Sequence, residues 1–478
     1  MFKIKIQLHN IIFYLYLALL LSLFINSASA TTFDAIQAST SSMNYALPSF
    51  YFVYSQRNMT TFNSFQKKSN HKTDALCNFL KETRVNGTLR SYYFIRNFSR
   101  DINQPAFSAG GELNVLSGVF LKALRAGLSV YTAQPFGLNS HNPLKVDQTL
   151  PGRSVTVLTQ SYLQYHYQKL LLRGGYMEIE TPWVYPDYSR MIPAAWSGGY
   201  GVFEPFENFS LTVMRLYSFK GRSNSNYSRT NLYNPGNLGG TSIPALGNTR
   251  NPGIFAIAAK SKTTYFDTQL WFYQFYDFAK LYYFENKFTS CEFKGPVKLI
   301  LGVQGVTESA DGANNIQRFT GKAVESNAVG ALFGIEFPLL TLSIGYNDII
   351  KRNNAFNGGD IVSPYTSGYS SDPLYTTSMM KGLIEKAAGH AIKFTASSLI
   401  YDKHLNLKFS YASYVTPLLA NNTIEPFASR TNETDYDVTF FFHRDHHGLS
   451  LRERLGVLTG ALPTGRFIYS RVMLQYTF

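Results

Sequence analysis

Apolar and polar residues alternate with a period of two along many segments of the chain. In "FIYSRVMLQYTF", Phe467 to Phe478, one phase carries Val472, Leu474, Tyr476 and Phe478, and the other carries Arg471, Met473, Gln475 and Thr477. This is the pattern of a strand with one apolar face and one polar face. "GLSLRERLGV" sets Leu449, Leu451, Leu455 and Val457 against Ser450, Arg452 and Arg454, with Glu453 the exception on the apolar phase. "YDVTFFFH" has Tyr436, Val438, Phe440 and Phe442 on its apolar phase. "LNLKFSYASYV" opposes Leu405, Leu407, Phe409 and Tyr411 to Asn406, Lys408 and Ser410. In "AIKFTASSLI", Ile392, Phe394 and Ala396 stand opposite Lys393, Thr395 and Ser397; in "VKLILGV", Val297, Leu299, Leu301 and Val303 stand opposite Lys298. The polar phase repeatedly carries a cation.

The connections between these segments alternate in length. His443 to Gly448, Tyr401 to His404, Gly334 to Pro338 and Phe293 to Pro296 are short, whereas Gln304 to Lys322, Asn347 to Gly389 and Thr416 to Asp435 are long and rich in Asn, Gly, Ser and Thr. Short turns at one end and long loops at the other characterise transmembrane barrels, and a soluble sandwich has no reason to sort its loops this way. The expected fold is all-β, a closed, antiparallel, up-and-down transmembrane barrel of about 16 to 18 strands by alternation alone. An open edge in hydrocarbon leaves backbone groups unpaired, so the last strand must pair with the first. That first strand is expected in "GTLRSYYFIRNF", Gly87 to Phe98, with Leu89, Tyr93 and Ile95 on one phase and Arg90, Tyr92, Phe94 and Arg96 on the other.

The N-terminal region reads differently. Lys3 and Lys5 precede an apolar run from Ile11 to Ile25, and Ala28-Ser29-Ala30 forms a small-residue cleavage pattern. These are the parts of a cleaved secretory signal over residues 1–30, shorter in its apolar run than the roughly 20 residues of a membrane-spanning helix. Residues 31–84 form a polar extension that could be a leader, a strand or a plug, and residues 85–478 form the barrel.

Composition agrees with strands that alternate, being 15% aromatic, with 33 Tyr and 38 Phe, yet only 15% charged. The formal net charge of +14 is spread along the chain and not run together. In an exported protein it points to anionic solutes and away from nucleic acid. Cys77 and Cys291 do not make a disulfide framework.

Several stretches resemble the OprD family of substrate-specific outer-membrane porins. "FLKETRVNGTLRSYYFIRNFSRD" is similar to that family's opening strand and "AFSAGGELNVLSGVF" to its second. "PDYSRMIPAAWSGG", Pro186 to Gly199, resembles a family segment built around an aspartate, a serine-arginine pair and a proline, here Asp187, Ser189, Arg190 and Pro193. "ENFSLTVMRLYSFKGRSNS" follows it, with Arg215 and Arg222. The resemblance covers most of the chain after about residue 78, is patchy between Arg229 and Lys260, and leaves out Thr31 to Asp74. It implies an 18-stranded barrel whose inward loops narrow the lumen, passing carboxylates or amino acids along a file of basic side chains.

Strand parity supplies Arg90, Arg96, Lys298, Lys393, Lys408, Arg452, Arg454 and Arg471 to that file. The resemblance adds Arg190, Arg215 and Arg222 near the constriction, with Asp187 or Tyr residues expected to face the row and bind an amino group or orient the solute. The expected partners are the outer-membrane bilayer, small anionic or zwitterionic solutes, and the barrel-assembly machinery through the strand ending in Phe478. No cofactor or metal is called for. The turn "HRDHHG" has three His and an Asp within five residues, but a metal needs fixed ligand geometry and a solvated turn does not supply it. No G-x-S-x-G, Walker loop or HExxH occurs. The competing reading is a barrel adhesin or outer-membrane enzyme working through the loops at Asn347 to Gly389 and Thr416 to Asp435.

Overall fold

The computed structural model describes residues 75–478 apart from 151, 236, 238–242, 293–294, 367–369, 385–386 and 421–422. The expected signal and nearly all of the polar extension lie outside these residues. A short helix, α1 (Ala75–Glu82), precedes eighteen strands. In the first half these are β1 (Arg84–Phe98), β2 (Gln104–Leu116), β3 (Leu124–Gln134), β4 (Val155–Tyr167), β5 (Leu170–Met177), β6 (Ala195–Phe206), β7 (Phe209–Lys220), β8 (Ile254–Lys262) and β9 (Phe266–Phe275). The second half comprises β10 (Ala279–Thr289), β11 (Lys298–Ala310), β12 (Glu325–Glu336), β13 (Thr341–Ile349), β14 (Gly389–Ile400), β15 (Leu405–Ala420), β16 (Thr423–Phe441), β17 (Gly448–Gly460) and β18 (Phe467–Thr477). A second short helix, α2 (Asn315–Thr320), lies between β11 and β12.

Every strand pairs antiparallel with its sequence neighbours, and β18 pairs with β1, so the sheet closes. Closure continues to the last residue: Gly87 and Phe478 exchange both backbone hydrogen bonds at 3.1 Å. The seam leaves no unpaired edge between Thr88 and Phe98.

The phases fall as the alternation requires. Leu89, Leu474, Tyr476, Tyr436 and Ile392 are exposed on the outside, while Tyr92, Phe94, Arg452 and Arg471 are buried within. Polar groups can be buried inside because loops and opposing side chains supply partners.

Two expected long loops are shorter than the sequence suggested. Strand β11 runs on to Ala310, because its inward phase carries Gln304, Val306 and Glu308. Most of residues 416–435, expected as a loop, continue strands β15 and β16, which stay paired as far as Ala420 and Thr423. The outward residues there include Asn432 and Thr434. With both faces polar the period of two vanishes from the sequence although the ladder persists. The expected loop at Asn347 to Gly389 is real, spanning 350–388, but much of it is buried, including Ile361, Val362, Leu374 and Leu383.

One side of the lumen is filled. Trp183, Trp196, Trp271, Tyr273, Phe275 and Tyr283, from β6, β9, β10 and the β5–β6 connection, pack with Ile316, Ile361 and Leu383 from the long connections. A second, smaller cluster lies against β1 to β4 and β18.

Helix α1 docks on the β2–β3 turn, where Glu82 accepts from the Val119 amide at 3.1 Å and Thr83 Oγ1 from Gly118 N at 2.9 Å. Cys77 on α1 and Cys291 in the β10–β11 turn are both free and exposed. Since β1 and β10 stand on opposite sides of the closed ring of eighteen, the two sulfurs are far beyond disulfide reach.

Candidate functional site: an arginine-rich wall beneath two inward loops

The β5–β6 connection turns into the lumen and is held there from several sides. Arg90 on β1 donates from Nη1 to the Arg190 carbonyl at 2.8 Å, and Lys220 on β7 donates to the Pro193 carbonyl at 2.7 Å. At its base Asp187, in the left-handed backbone region at φ 52°, forms a buried ion pair with Arg222. The Asp187 carboxylate also accepts from the Ser189 amide at 3.0 Å. Burial alone would raise this carboxyl, but Arg222, Arg190 and Ser189 together hold it below the usual carboxylate range.

This loop delivers Arg190 to the seam between β1 and β18. Its Nε donates to Thr149 Oγ1 at 2.9 Å, Nη1 to Ser189 Oγ at 2.9 Å, and Nη2 to Tyr469 Oη at 3.2 Å. The guanidinium lies over the Phe94 ring, 5.0 Å from its centroid. Arg96 reaches the same place, 3.0 Å from Asp147 Oδ2, and Tyr469 donates its hydroxyl to that same oxygen. Arg471 stacks over Tyr469 at 4.0 Å. Arg96 and Arg190 thus share one buried aspartate, Asp147, while Arg90 holds the Arg190 backbone and Arg471 stacks on the tyrosine that bonds to Asp147. Burial raises the Asp147 carboxyl; Arg96, Arg190, Tyr469 and Thr149 outweigh it and hold it low.

The basic wall continues across neighbouring strands in direct register. Phe94 lies opposite Arg471, Arg471 opposite Arg454, Arg454 opposite Asp437, and Asp437 opposite Lys408. Asp437 takes Arg452 in two bonds, at 2.8 and 2.5 Å, and Arg454 at 3.1 Å. These cations are therefore partly neutralised by β16. Lys393 sits further round, donating to the Thr377 carbonyl of the β13–β14 loop.

Two expected members lie elsewhere. Lys298 stands at the short-turn end of β11, 3.4 Å from Glu336. Arg215 falls on the outward phase of β7, between exposed Val213 and Tyr217, and its guanidinium donates to the carbonyls of Leu216, Ile254 and Pro252. Its place near the constriction is corrected: the inward residues beside it are Met214 and Leu216.

The acids were legible but overlooked. The apolar phase of β16 at Tyr436 and Val438 puts Asp437, Asp435 and Glu433 on the lumenal one. Asp147 and Thr149 carried no strand signal at all, since they lie in a long connection. A separate acidic group is held by the β5–β6 connection: Glu178 accepts from Tyr131 Oη at 3.0 Å and Gln160 Nε2 at 3.1 Å, and Glu180 from Tyr188 Oη at 2.7 Å. Burial, then repulsion from Glu112, pushes the Glu178 carboxyl up to about 8. The histidines of the turn after β16 serve locally: His446 stacks on Phe441 with centroids 3.9 Å apart.

No protein-family model matches the chain, and no curated protein matches it in sequence. Solved structures do match. Pseudomonas aeruginosa OccK9 (OpdG) superposes with a TM-score of 0.69 at 17% identity, covering 84% of this chain and 99% of that one. Pseudomonas aeruginosa OpdK with vanillate gives 0.66 at 15% identity, with 84% and 99% covered. A BenF-like porin from Pseudomonas fluorescens gives 0.67 at 15% identity, again with 84% and 99% covered. At such identities the likeness is one of fold: an eighteen-stranded barrel shared with outer-membrane porins, the group that the sequence resemblance names.

Proposed function

We propose that the protein is an integral outer-membrane channel through which small carboxylates, or amino acids presenting a carboxylate, diffuse selectively, and that it is not an enzyme. The observation carrying this reading is the gathering of Arg90, Arg96, Arg190 and Arg471 beside the β1–β18 seam, linked to one another through the Arg190 carbonyl, Tyr469 and Asp147. A passage walled by protein focuses the field of fixed charges, so an excess of cations raises the local concentration of anions. Arginine suits the task because its planar fork takes a carboxylate bidentately and stays protonated. The neighbouring Arg452, Arg454 and Lys408 supply further weak sites in series, the condition for entry without trapping.

The fold of OpdK, solved with vanillate, supports a carboxylate as cargo. The Glu180 carboxylate, beside a Glu178 that keeps its proton up to about pH 8, supports amino acids as a second class, because an amino group would find an acceptor there. The closing strand ending in Phe478 is the segment we assign to recognition by the barrel-assembly machinery. An adhesin or enzyme working through 350–388 fits less well, since so much of that connection is buried inside.

The test is conductance of the purified barrel in a planar bilayer under a salt gradient, with vanillate, glucuronate or amino acids added to one side. Open channels with an anion-leaning reversal potential and a carboxylate-specific block support the reading. A correctly folded barrel that stays silent, or conducts with cation preference, overturns it.

A further inference from the structure

Residues 372–381 run along the inside of the barrel from β11 to β16 without regular secondary structure, and four of their backbone amides find partners on that wall. Gln304 on β11 and Asn347 on β13 are joined by a 2.7 Å bond from Asn347 Nδ2 to Gln304 Oε1. The same Gln304 oxygen accepts from Tyr375 N at 3.1 Å, and its Nε2 donates to the Pro373 carbonyl at 3.1 Å. Asn347 Oδ1 accepts from Thr376 N at 3.1 Å and Thr376 Oγ1 at 3.2 Å. Buried backbone groups outside a ladder need such partners, and this amide pair supplies them for the amides of two consecutive strap residues, Tyr375 and Thr376, and for the Pro373 carbonyl.

The wall is also shaped to receive the strap. A Cβ at Gly302 would meet the Tyr375 hydroxyl at 2.6 Å, and one at Gly345 would meet the Tyr375 Cβ at 2.9 Å. Leu332 lies between these glycines in register, so the notch is a row across three strands. Further along, Asp435 accepts from Met379 N at 3.2 Å and Glu433 from Met380 N at 2.7 Å. The strap ends in the apolar cluster that contains Met379 together with Met191 and Ile192 of the β5–β6 loop. The two inward loops therefore share one apolar cluster.

We infer that Gln304 and Asn347 are positioning residues of the constriction: their paired amides, with the glycine notch beneath Tyr375, fix the strap 372–381 against the inner wall and so set the width of the passage left beside it. This rests on the channel reading for its functional consequence, but not for its structural one. The neutral amides hold the strap without adding charge to the lumen, which leaves selectivity to the arginines. Glu433 and Asp435 each give one carboxylate oxygen to a strap amide.

Two readouts test it, on the full-length protein. The first is single-channel conductance of Gln304→Ala/Asn347→Ala and, independently, of Gly302→Val, which leaves the amides intact and displaces Tyr375. Both should conduct more than wild type, with the anion preference reduced. The second is thiol labelling at Ser378→Cys in a Cys77→Ser/Cys291→Ser background, using a methanethiosulfonate reagent. Ser378 is buried, and its labelling should rise about tenfold when the clamp is cut, as expected for a segment whose local opening is made easier. Heat-modifiable mobility on gels confirms that each variant is a folded barrel. A silent wild type would overturn the channel reading yet leave the labelling decisive. Unchanged labelling in folded clamp variants overturns the proposal, whatever the conductance.

Discussion

The Arg190 guanidinium donates to the Tyr469 hydroxyl at 3.2 Å, across 279 positions of sequence. Tyr469 passes its own proton donor to Asp147, which Arg96 also contacts at 3.0 Å. One phenol thereby joins the β5–β6 loop, the β3–β4 connection and both closing strands, and holds arginines together that would otherwise repel. The arrangement tolerates them because Asp147 is shared and because Phe94 and Tyr469 present ring faces to the cations.

Arg190→Gln and Arg471→Gln should each shift the reversal potential toward cations, and the pair together more than either. Arg215→Gln, on the outward phase of β7, should leave it where it is. Bilayer recordings under a fixed salt gradient decide the matter; an Arg215 effect equal to that of Arg190 would sink the assignment of the site.

Alkaline pH should weaken anion preference through Glu178, whose carboxyl burial raises to about 8. The folded protein holds this proton from roughly pH 4.3, the ordinary glutamate value, up to about 8, so over that window it binds more protons than the unfolded chain. Stability from this group is therefore full below the window and declines as pH rises through it. Glu178→Gln should flatten both the stability profile and the change in reversal potential between pH 7 and 9. A wild-type profile that is flat across this range would count against the buried acid.

Acid should loosen the same loop by the opposite route. Asp147 and Asp187 are held below the usual carboxylate range, so their contribution is present above about pH 3.9 and lost as pH falls through their lower folded values. Noisier or larger conductance steps below about pH 4, reversible on neutralisation, are the expected result. Arg222→Met strands Asp187 inside the protein, and breaking a buried pair from one side costs about 3–5 kcal/mol. Protease sensitivity confined to the β5–β6 loop should follow; a variant as resistant as wild type would contradict the pair's role.

Glu453 occupies the outward phase of β17, directly between Val438 and Val472. A charge on the lipid face of a barrel is unfavourable by up to about 2–4 kcal/mol for a basic residue at mid-depth and by less for an acid, so Glu453→Leu should raise the urea midpoint of unfolding from liposomes by an amount equivalent to about 1–2 kcal/mol. A lower midpoint would mean that the carboxylate has a partner outside the chain.

Closure, antiparallel order and the phase of each strand were written in the sequence, because in a barrel the period of two is imposed locally by which face each residue meets. Arg90, Arg96, Arg452, Arg454, Arg471, Lys393 and Lys408 could be assigned inward from parity alone. The pattern faded where its physical cause faded: the β15–β16 hairpin carries polar outward residues at Asn432 and Thr434, so the strands there looked like loop. Parity also could not say which cations have partners. Register brings Asp437 against Arg454 and Lys408, and only the ring of paired strands fixes that register. The loops were least legible of all. Asp147, Arg190, Gln304 and Tyr375 meet their partners because connections of no periodicity fold back into the lumen, where contacts between residues as much as 322 positions apart decide the outcome. Alternation is a local property of the chain and reports the wall; the constriction is a long-range property and belongs to the tertiary structure.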